Sequence, residues 1–135
     1  MVETMRWEQG KLVLLDQTLL PNKIEWISCE DYLRVKLAIG RLEVRGAPAI
    51  GAAAAFAMAL GAREVADKPD FLGALDAVRA DLITARPTAV NLAWAANLQY
   101  ELATKLNKDD LPPFKIIKAL EAKAEQIYAD DIAIN

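Results

Sequence analysis

Val44–Ala62, with the sequence VRGAPAIGAAAAFAMALGA, is the stretch around which the rest of the chain is organised. An arginine and a glycine lead into Pro48, and no polar side chain follows until Arg63. Proline is best tolerated in the first turn of a helix, so the pattern predicts a loop that feeds a helix. Because that helix is apolar on all sides, we expect it to be buried as a central strut. A transmembrane span is the competing interpretation, but the run is shorter than the roughly 20 residues that a bilayer requires.

The composition argues against several classes of function. The chain has 135 residues, which predicts one domain, and it carries a net charge of −3 without a basic cluster. This argues against a nucleic-acid partner and against a membrane-surface helix. There is no histidine, which removes Ser-His-Asp triads and histidine metal sites. Cys29 is the single cysteine and no charged leader opens the sequence, so we expect a cytoplasmic protein.

The first 28 residues have strand character. Met5–Trp7 and Leu12–Leu15 flank a short polar connection with a glycine, which predicts a β-hairpin. The alternation in Lys23–Ile27 predicts a third strand, and three strands are about what a small antiparallel sheet needs. Ser28 then has the character of a helix N-cap, with Asp31 three residues later in the capping-box arrangement.

Helices are predicted for the rest of the chain, which gives an α+β fold with a three-stranded antiparallel sheet followed by a helical bundle. Lys68-Pro69-Asp70 and Arg86-Pro87 break the helical pattern, because proline disfavours the α conformation in the residue before it. The predicted helices cover residues 29–42, 48–66, 70–85, 87–106 and 113–135.

The spacing of large apolar residues predicts which helix faces are buried. In the third helix the predicted buried stripe is Phe71, Leu75, Val78 and Leu82. In the fourth helix it is Val90, Trp94, Leu98 and Leu102, with Asn91, Gln99, Glu101 and Lys105 on the polar side.

Two arginines precede predicted helix starts. Arg45 comes before the Pro48 helix and Arg86 comes directly before Pro87. A helix N-terminus exposes unpaired N–H groups, and an arginine adds a charged fork, so two converging starts would make a phosphate or carboxylate site. Gly46 suits such a site because it lets backbone approach a ligand. The alternative is that both arginines are solvated, or pair with Glu43 and Asp81 or another carboxylate.

Cys29 is a weaker candidate. It lies at a predicted helix N-terminus, where the pKa of a thiol can be lowered. Without a histidine partner, a buried structural cysteine is the better interpretation.

Three motifs, in order along the chain, closely resemble those of the methylthioribose-1-phosphate isomerase family. They are Asp16–Pro21 (DQTLLP), Val44–Gly51 (VRGAPAIG) and Arg86–Ala95 (RPTAVNLAWA). This family of the methionine salvage pathway is related to the regulatory subunits of translation initiation factor 2B and to ribose-1,5-bisphosphate isomerase. The RGAPAIG motif favours the isomerase over the initiation-factor subunits.

The resemblance implies the aldose-to-ketose conversion of 5-methylthioribose 1-phosphate to 5-methylthioribulose 1-phosphate, without metal or organic cofactor. It implies that Arg45, Gly46 and Ala47 bind the sugar phosphate, together with Arg86. It also implies a homo-oligomeric, dimeric intact protein, with an active site between this domain and a larger Rossmann-like domain.

The catalytic cysteine and aspartate of the family lie in that second domain, and Cys29 does not match the cysteine. We therefore expect no catalytic residue in this chain, and we predict that the chain, as an amino-terminal domain without its carboxy-terminal domain, is inactive alone. The alternatives are a regulatory or scaffold domain of the initiation factor 2B type, a ribose-1,5-bisphosphate isomerase, and a domain used only for dimerisation or docking.

Overall fold

The computed structural model describes residues 4–41, 43–44 and 46–134, with side chains described through Asp131. Within these residues the fold is α+β, as predicted, with a three-stranded antiparallel sheet followed by five helices. The strands are β1 (Met5–Glu8), β2 (Lys11–Leu15) and β3 (Trp26–Cys29), in the order β1-β2-β3. The helices are α1 (Tyr32–Gly40), α2 (Ala47–Glu64), α3 (Phe71–Ile83), α4 (Val90–Lys108) and α5 (Pro113–Ile134).

The predicted hairpin is confirmed, and its turn has a clear cause. β1 pairs with β2 in a register that sets Glu8 opposite Lys11. The two residues between them, Gln9 and Gly10, both have positive φ, at 52° and 75°. This is the backbone of a two-residue turn whose twist matches that of the flanking strands.

The third strand lies further along the chain than predicted. The Lys23–Ile27 prediction is wrong in its bounds, because the segment paired with β2 runs from Trp26 to Cys29. The alternation continues into this segment, with Ser28 exposed and Cys29 buried. Ser28 is therefore a strand residue and not the N-cap. The cap of α1 is Asp31, whose side chain accepts a hydrogen bond from the Arg34 N–H at 2.8 Å.

Helix α2 forms the core of the molecule, as its sequence predicts. Every residue from Ile50 to Ala62 is buried. The sheet packs on one side of it, where Trp7 stacks on Phe56 with ring centroids 5.1 Å apart. No helix in the described part of the chain is long and apolar enough to span a bilayer.

Helix α3 buries the predicted face, and helix α4 does not. Phe71, Leu75, Val78 and Leu82 are the buried residues of α3. In α4, however, Val90 is 78% exposed and Trp94 is 52% exposed. The residues that α4 buries are Leu92, Ala95, Ala96, Gln99 and Ala103. The predicted stripe is wrong at Val90 and Trp94, whereas Leu102 is partly buried against the core, because α4 turns the face with Leu92, Gln99 and three alanines inward.

The start of α4 also differs from the prediction. The helix begins at Val90, three residues after Pro87, and the intervening segment is a turn in which the Ala89 N–H donates to the Arg86 carbonyl at 2.9 Å. Further along, the buried amide of Gln99 donates to the carbonyls of Ala55 and Leu120, at 3.0 and 2.8 Å. These two hydrogen bonds tie α4 to α2 and α5, and they explain why a residue predicted to be on the polar side is buried.

Candidate anion-binding site

A cavity of about 370 Å³ lies where the starts of α2 and α4 meet. Two segments that are far apart in the sequence form its walls. They contribute Gly46, Ala47 and Ile50 from the start of α2, and Arg86, Thr88, Ala89, Val90 and Asn91 from the turn into α4. The structure therefore brings together three of the four residues predicted to bind an anion, Gly46, Ala47 and Arg86.

The fourth, Arg45, lies outside the described residues. The residues on both sides of it are described: Val44 is buried at 3% exposure, and Gly46 lines the cavity. A contribution of Arg45 to the anion site stays a prediction from the sequence.

The start of α2 has no side-chain cap. Gly46 is the N-cap residue, with φ 90° and ψ 133°, and it makes no side-chain hydrogen bond to the first turn. Its carbonyl accepts from the Ile50 N–H at 3.0 Å, which begins the helical ladder. The amides before that point have no acceptor within the helix, and Pro48 has no N–H to satisfy. Backbone donors at this end of α2 are thus available to a ligand.

The start of α4 has the same property. Ala89 is its N-cap residue, in an extended conformation with φ −82° and ψ 100°, and no side chain caps the first turn. The first residues of both helices line the shared cavity, and a helix N-terminus carries unpaired N–H groups and the positive end of its dipole. An anion in the cavity would be attracted by both helix starts.

The guanidinium of Arg86 has no hydrogen bond or ion pair to any described residue. The carboxylates considered as rival partners are engaged elsewhere. Glu43 accepts from Arg34 at 2.9 Å, and Asp81 pairs with Lys36 at 2.7 Å. Arg86 thus contributes a positive charge to the cavity that no described carboxylate neutralises.

The charge of Asp81 is held in place by its neighbours. The hydrogen bond from Lys36 is the main cause that lowers the pKa of Asp81, and Tyr32 donates a second one at 3.0 Å. Burial, followed by the hydrogen bond to Asp81, raises the pKa of Tyr32 to about 12. Asp81 is accordingly an ionised partner of α1, although it lies on the helix that leads to Arg86.

A second cavity of about 300 Å³ adjoins the first and shares Asn91 with it. Its lining consists of Pro48, Gly51, Asn91, Trp94, Ile127, Asp130 and Asp131. The sequence predicts Trp94 as a core or interface residue and Asn91 on the polar side of α4, with no binding role for either. The spacing could have indicated that the two residues lie together, because Asn91 and Trp94 are three residues apart and so share a helix face with Val90.

Cys29 is structural, as expected. Its side chain is fully buried, and burial is the main cause that raises the pKa of the thiol to about 11. A thiol with a raised pKa is a poor nucleophile at neutral pH. In the described part of the chain, no cluster of three or more histidine, cysteine, aspartate or glutamate side chains is placed to hold a metal ion.

A sequence profile described as the initiation factor 2 subunit family matches residues 43–135, which include both walls of the cavity. The chain belongs to this family. The match agrees with the relationship inferred from the three motifs.

Individual members of the family are similar over nearly the whole chain. A methylthioribose-1-phosphate isomerase from Desulforamulus reducens is 45% identical over 96% of this chain, and one from Petrotoga mobilis is 44% identical over 98%. The chain spans 37% and 38% of the length of these two relatives.

Solved structures of two functional classes share the fold. The 5-methylthioribose 1-phosphate isomerase from Pyrococcus horikoshii OT3 superposes with a TM-score of 0.87 at 32% identity, over 96% of this chain and 36% of that one. The translation initiation factor eIF-2B subunit delta from A. fulgidus gives a TM-score of 0.86 at 34% identity, over 98% of this chain and 38% of that one. The domain fold alone therefore does not discriminate between an isomerase and an initiation-factor subunit.

Proposed function

We propose that this chain is the amino-terminal part of a cytoplasmic sugar-phosphate isomerase of methionine salvage, which converts 5-methylthioribose 1-phosphate to 5-methylthioribulose 1-phosphate. Its role is to bind the phosphate of the substrate. The observation that carries the proposal is the cavity in which Arg86 meets two helix starts without side-chain caps. The identity of the sugar phosphate is inferred from the names of the similar relatives.

The chemistry of phosphate suits this cavity. A phosphate dianion has several acceptor oxygens, and helix N-termini offer N–H donors and positive dipole ends to them. The planar guanidinium of Arg86 can donate two parallel hydrogen bonds to the same phosphate. By the family resemblance, Arg45 adds a second guanidinium next to Gly46 and Ala47.

Phosphate binding contributes to catalysis by positioning. The phosphate is bonded to C1, one of the two carbons that react, so holding it fixes the sugar relative to the groups that move its protons, and such positioning lowers the barrier of a reaction. By the same resemblance, those groups are a cysteine and an aspartate of a second domain. The proposal therefore assigns to this chain the substrate phosphate and no proton transfer, and it predicts that the chain alone has no turnover.

The second cavity favours methylthioribose 1-phosphate over ribose 1,5-bisphosphate. The two sugars differ at one end, where the first carries a thioether and the second carries another phosphate. The indole of Trp94 and the ring of Pro48 offer apolar contacts to a thioether. The carboxylate of Asp130 would repel a second phosphate in the same space.

Kinetics of the intact protein on both sugars test the proposal. We expect turnover of methylthioribose 1-phosphate with a kcat/KM well above that for ribose 1,5-bisphosphate. In Arg86→Ala, kcat/KM should fall for either sugar, whereas the 135-residue chain should bind phosphate without turnover. Activity of the chain by itself, or unchanged kinetics of Arg86→Ala, would contradict the proposal.

Sedimentation of the intact protein tests the homodimer, which we also propose.

The second candidate is a regulatory or scaffold domain of the initiation factor 2B type. The likeness to the A. fulgidus subunit favours it, because that structure superposes as well as the isomerase does. The two candidates differ in one measurement. A regulator would bind a phosphate-bearing ligand in the cavity of the intact protein without converting it.

A further inference from the structure

The loop between α1 and α2 is held at Glu43, three residues before Gly46. The Glu43 N–H donates to the Ala38 carbonyl at 2.9 Å, which ties the loop to α1. The Glu43 carbonyl accepts from the Gln17 N–H at 3.1 Å, which ties the loop to the short 3₁₀ turn Gln17–Leu19 after β2. Both backbone groups of this one residue are thus fixed to separate elements.

The side chain of Glu43 adds a third attachment. Its Oε1 accepts from Arg34 Nη1 at 2.9 Å, and the side chain is 10% exposed. This hydrogen bond is the first of the causes that raise the pKa of Arg34. A carboxylate at this depth needs its partner, because an unpaired buried charge is strongly unfavourable.

The Asp16–Thr18 segment supports the attachment from the other side. Asp16 is 8% exposed, and its Oδ1 accepts from the Thr18 N–H at 2.9 Å and from the Thr18 hydroxyl at 2.6 Å. These hydrogen bonds shape the turn from which the Gln17 N–H reaches Glu43. The segment does not line the cavity, so its contact with Glu43 connects it to the site.

We propose that Glu43 is a positioning residue that holds Gly46 and Ala47 against Arg86 in the geometry that binds an anion. Glu43 lies outside the lining of the cavity and acts through the loop. Asp16, Gln17 and Arg34 serve the same purpose by holding Glu43. This inference rests on the proposed phosphate site.

Titration of the ¹⁵N-labelled chain with inorganic phosphate, followed at the amides of Gly46 and Ala47, tests the inference. Glu43→Ala should weaken phosphate binding about tenfold. Glu43→Gln, which keeps an oxygen acceptor for Arg34, should recover most of the affinity. Asp76→Ala is the control, because Asp76 pairs at 2.7 Å with Arg79, which is 27% exposed against 28% for Arg34; Asp76 itself is 47% exposed, against 10% for Glu43. It should leave phosphate binding unchanged even where it lowers the melting temperature.

Hydrogen exchange separates a failure of the inference from a failure of the phosphate site. The Ile50 N–H bonds to the Gly46 carbonyl, so its protection reports the loop geometry without any ligand. Glu43→Ala should lower this protection, whereas Asp76→Ala should not. If the wild-type chain binds no phosphate, the proposed site is wrong and exchange alone decides the role of Glu43. Unchanged affinity in Glu43→Ala, unchanged Ile50 protection, or an equal loss in Asp76→Ala would overturn the inference.

If Glu43→Ala does not fold, the same two measurements are made on Glu43→Gln and Arg34→Lys. Arg34→Lys keeps the charge but loses the planar fork, so it should weaken binding more than Glu43→Gln does. The reverse order, or no effect of either variant, would contradict a role that depends on this hydrogen bond.

Discussion

Four helices of the molecule begin in two different ways. Helices α1 and α3 begin at aspartates: Asp31 accepts from the Arg34 N–H at 2.8 Å, and Asp70 accepts from the Gly73 N–H at 3.0 Å. Helices α2 and α4 begin at Gly46 and Ala89, without a side-chain cap. Among these four helices, the uncapped starts are the two that meet at the cavity. Helix α5 follows Pro112, which has no polar side chain to cap it, and that start does not line the cavity.

The difference indicates where the fold accepts an external anion. An aspartate at the N-cap supplies a negative charge and an acceptor to the first turn, and it contributes about 1 kcal/mol to stability. A phosphate in the cavity would do the same for α2 and α4 together. At the starts of α2 and α4, a ligand in the cavity can take the place of the missing side-chain caps.

The three cations Arg34, Lys36 and Arg86 follow the same division between capped and uncapped helix starts. Arg34 and Lys36 are engaged by Glu43 and Asp81, while Arg86 has no partner among the described residues. Both paired cations are on α1, away from the lining of the cavity. Of these three cations, the one without a described partner lies beside the uncapped helix starts.

The largest expected effect comes from Arg86→Met. A hydrogen bond to a charged group contributes about 1.5–3 kcal/mol. Phosphate binding by the chain, measured by calorimetry, should therefore weaken roughly 10- to 150-fold. Stability should change by less than about 0.5 kcal/mol, because the side chain has no described partner to lose.

Arg63→Met is the matched control for that variant. Arg63 lies in the last turn of α2, and its guanidinium donates to the carbonyls of Gly10 and Glu30 at 2.7 and 3.2 Å. We expect this variant to lower the melting temperature and to leave phosphate affinity intact. Equal loss of affinity in both variants would mean that the binding depends on overall charge and not on the cavity.

Gly46→Ala tests whether the conformation of the uncapped α2 start matters. The φ of Gly46 is 90°, a backbone conformation that residues other than glycine rarely adopt, and no heavy atom lies within 4 Å of the position of an added Cβ. The cost should come from the backbone alone, at about 1–3 kcal/mol. Thermal unfolding measures it, and phosphate titration should show weaker binding as the loop relaxes.

Gly40→Ala provides the comparison. Gly40 ends α1 without a positive φ, and an added Cβ would lie 3.7 Å from the Ala85 carbonyl oxygen, an ordinary contact. This variant should gain about 0.4–1 kcal/mol, since alanine restricts the unfolded chain. If Gly46→Ala were as stable as Gly40→Ala, the conformation at the start of α2 would not be required.

A reciprocal pair of cap variants gives the third test. Ala89 has the extended backbone of an N-cap, so Ala89→Ser should cap α4 and stabilise the chain by about 0.5–2 kcal/mol. The new hydroxyl would accept an N–H that a phosphate otherwise uses, so affinity should fall severalfold. Asp70→Ala should remove the cap of α3, so it should lower stability by about 1 kcal/mol and leave phosphate affinity unchanged. If Ala89→Ser stabilised the chain without weakening phosphate binding, the ligand would not use the start of α4.

How much of this was predictable from the sequence is clearest in α3 and α4. In α3 the large apolar residues Leu75 and Leu82 are the buried ones, so spacing alone identified the inner face. In α4 the inner face holds Leu92, Gln99 and three alanines, and Trp94 lines a cavity instead. Periodicity of size could not show this, since the partner helix decides which size fits.

The candidate site was found for a different reason. Arginine, glycine and proline at a helix start have local consequences that need no knowledge of packing, and the positions of Gly46 and Arg86 followed from them. The absence of side-chain caps and the engagement of Glu43 by Arg34 were not predictable, because both depend on contacts between distant segments. The shift of β3 to Trp26–Cys29 has the same cause, since pairing with β2 selects the register.

The smallest expected effect is on the pH dependence of stability, and it sharpens the contrast between the paired cations and Arg86. The pKa of Asp81 is lowered in the folded chain, mainly by the hydrogen bond from Lys36. A carboxyl whose pKa is lower in the folded than in the unfolded state stabilises the fold above its unfolded pKa, and this contribution is lost as the pH falls through the folded pKa. Asp81→Asn should therefore be less stable than wild type at about pH 6, and the difference should shrink towards about pH 3, below the usual aspartate value near 3.9. Urea unfolding across this range measures it, and phosphate affinity at neutral pH should stay within about twofold of wild type. If the stability of the two proteins changed with pH in the same way, Lys36 would not lower the pKa of Asp81. A large loss of phosphate affinity in Asp81→Asn would mean that Asp81 belongs to the anion site.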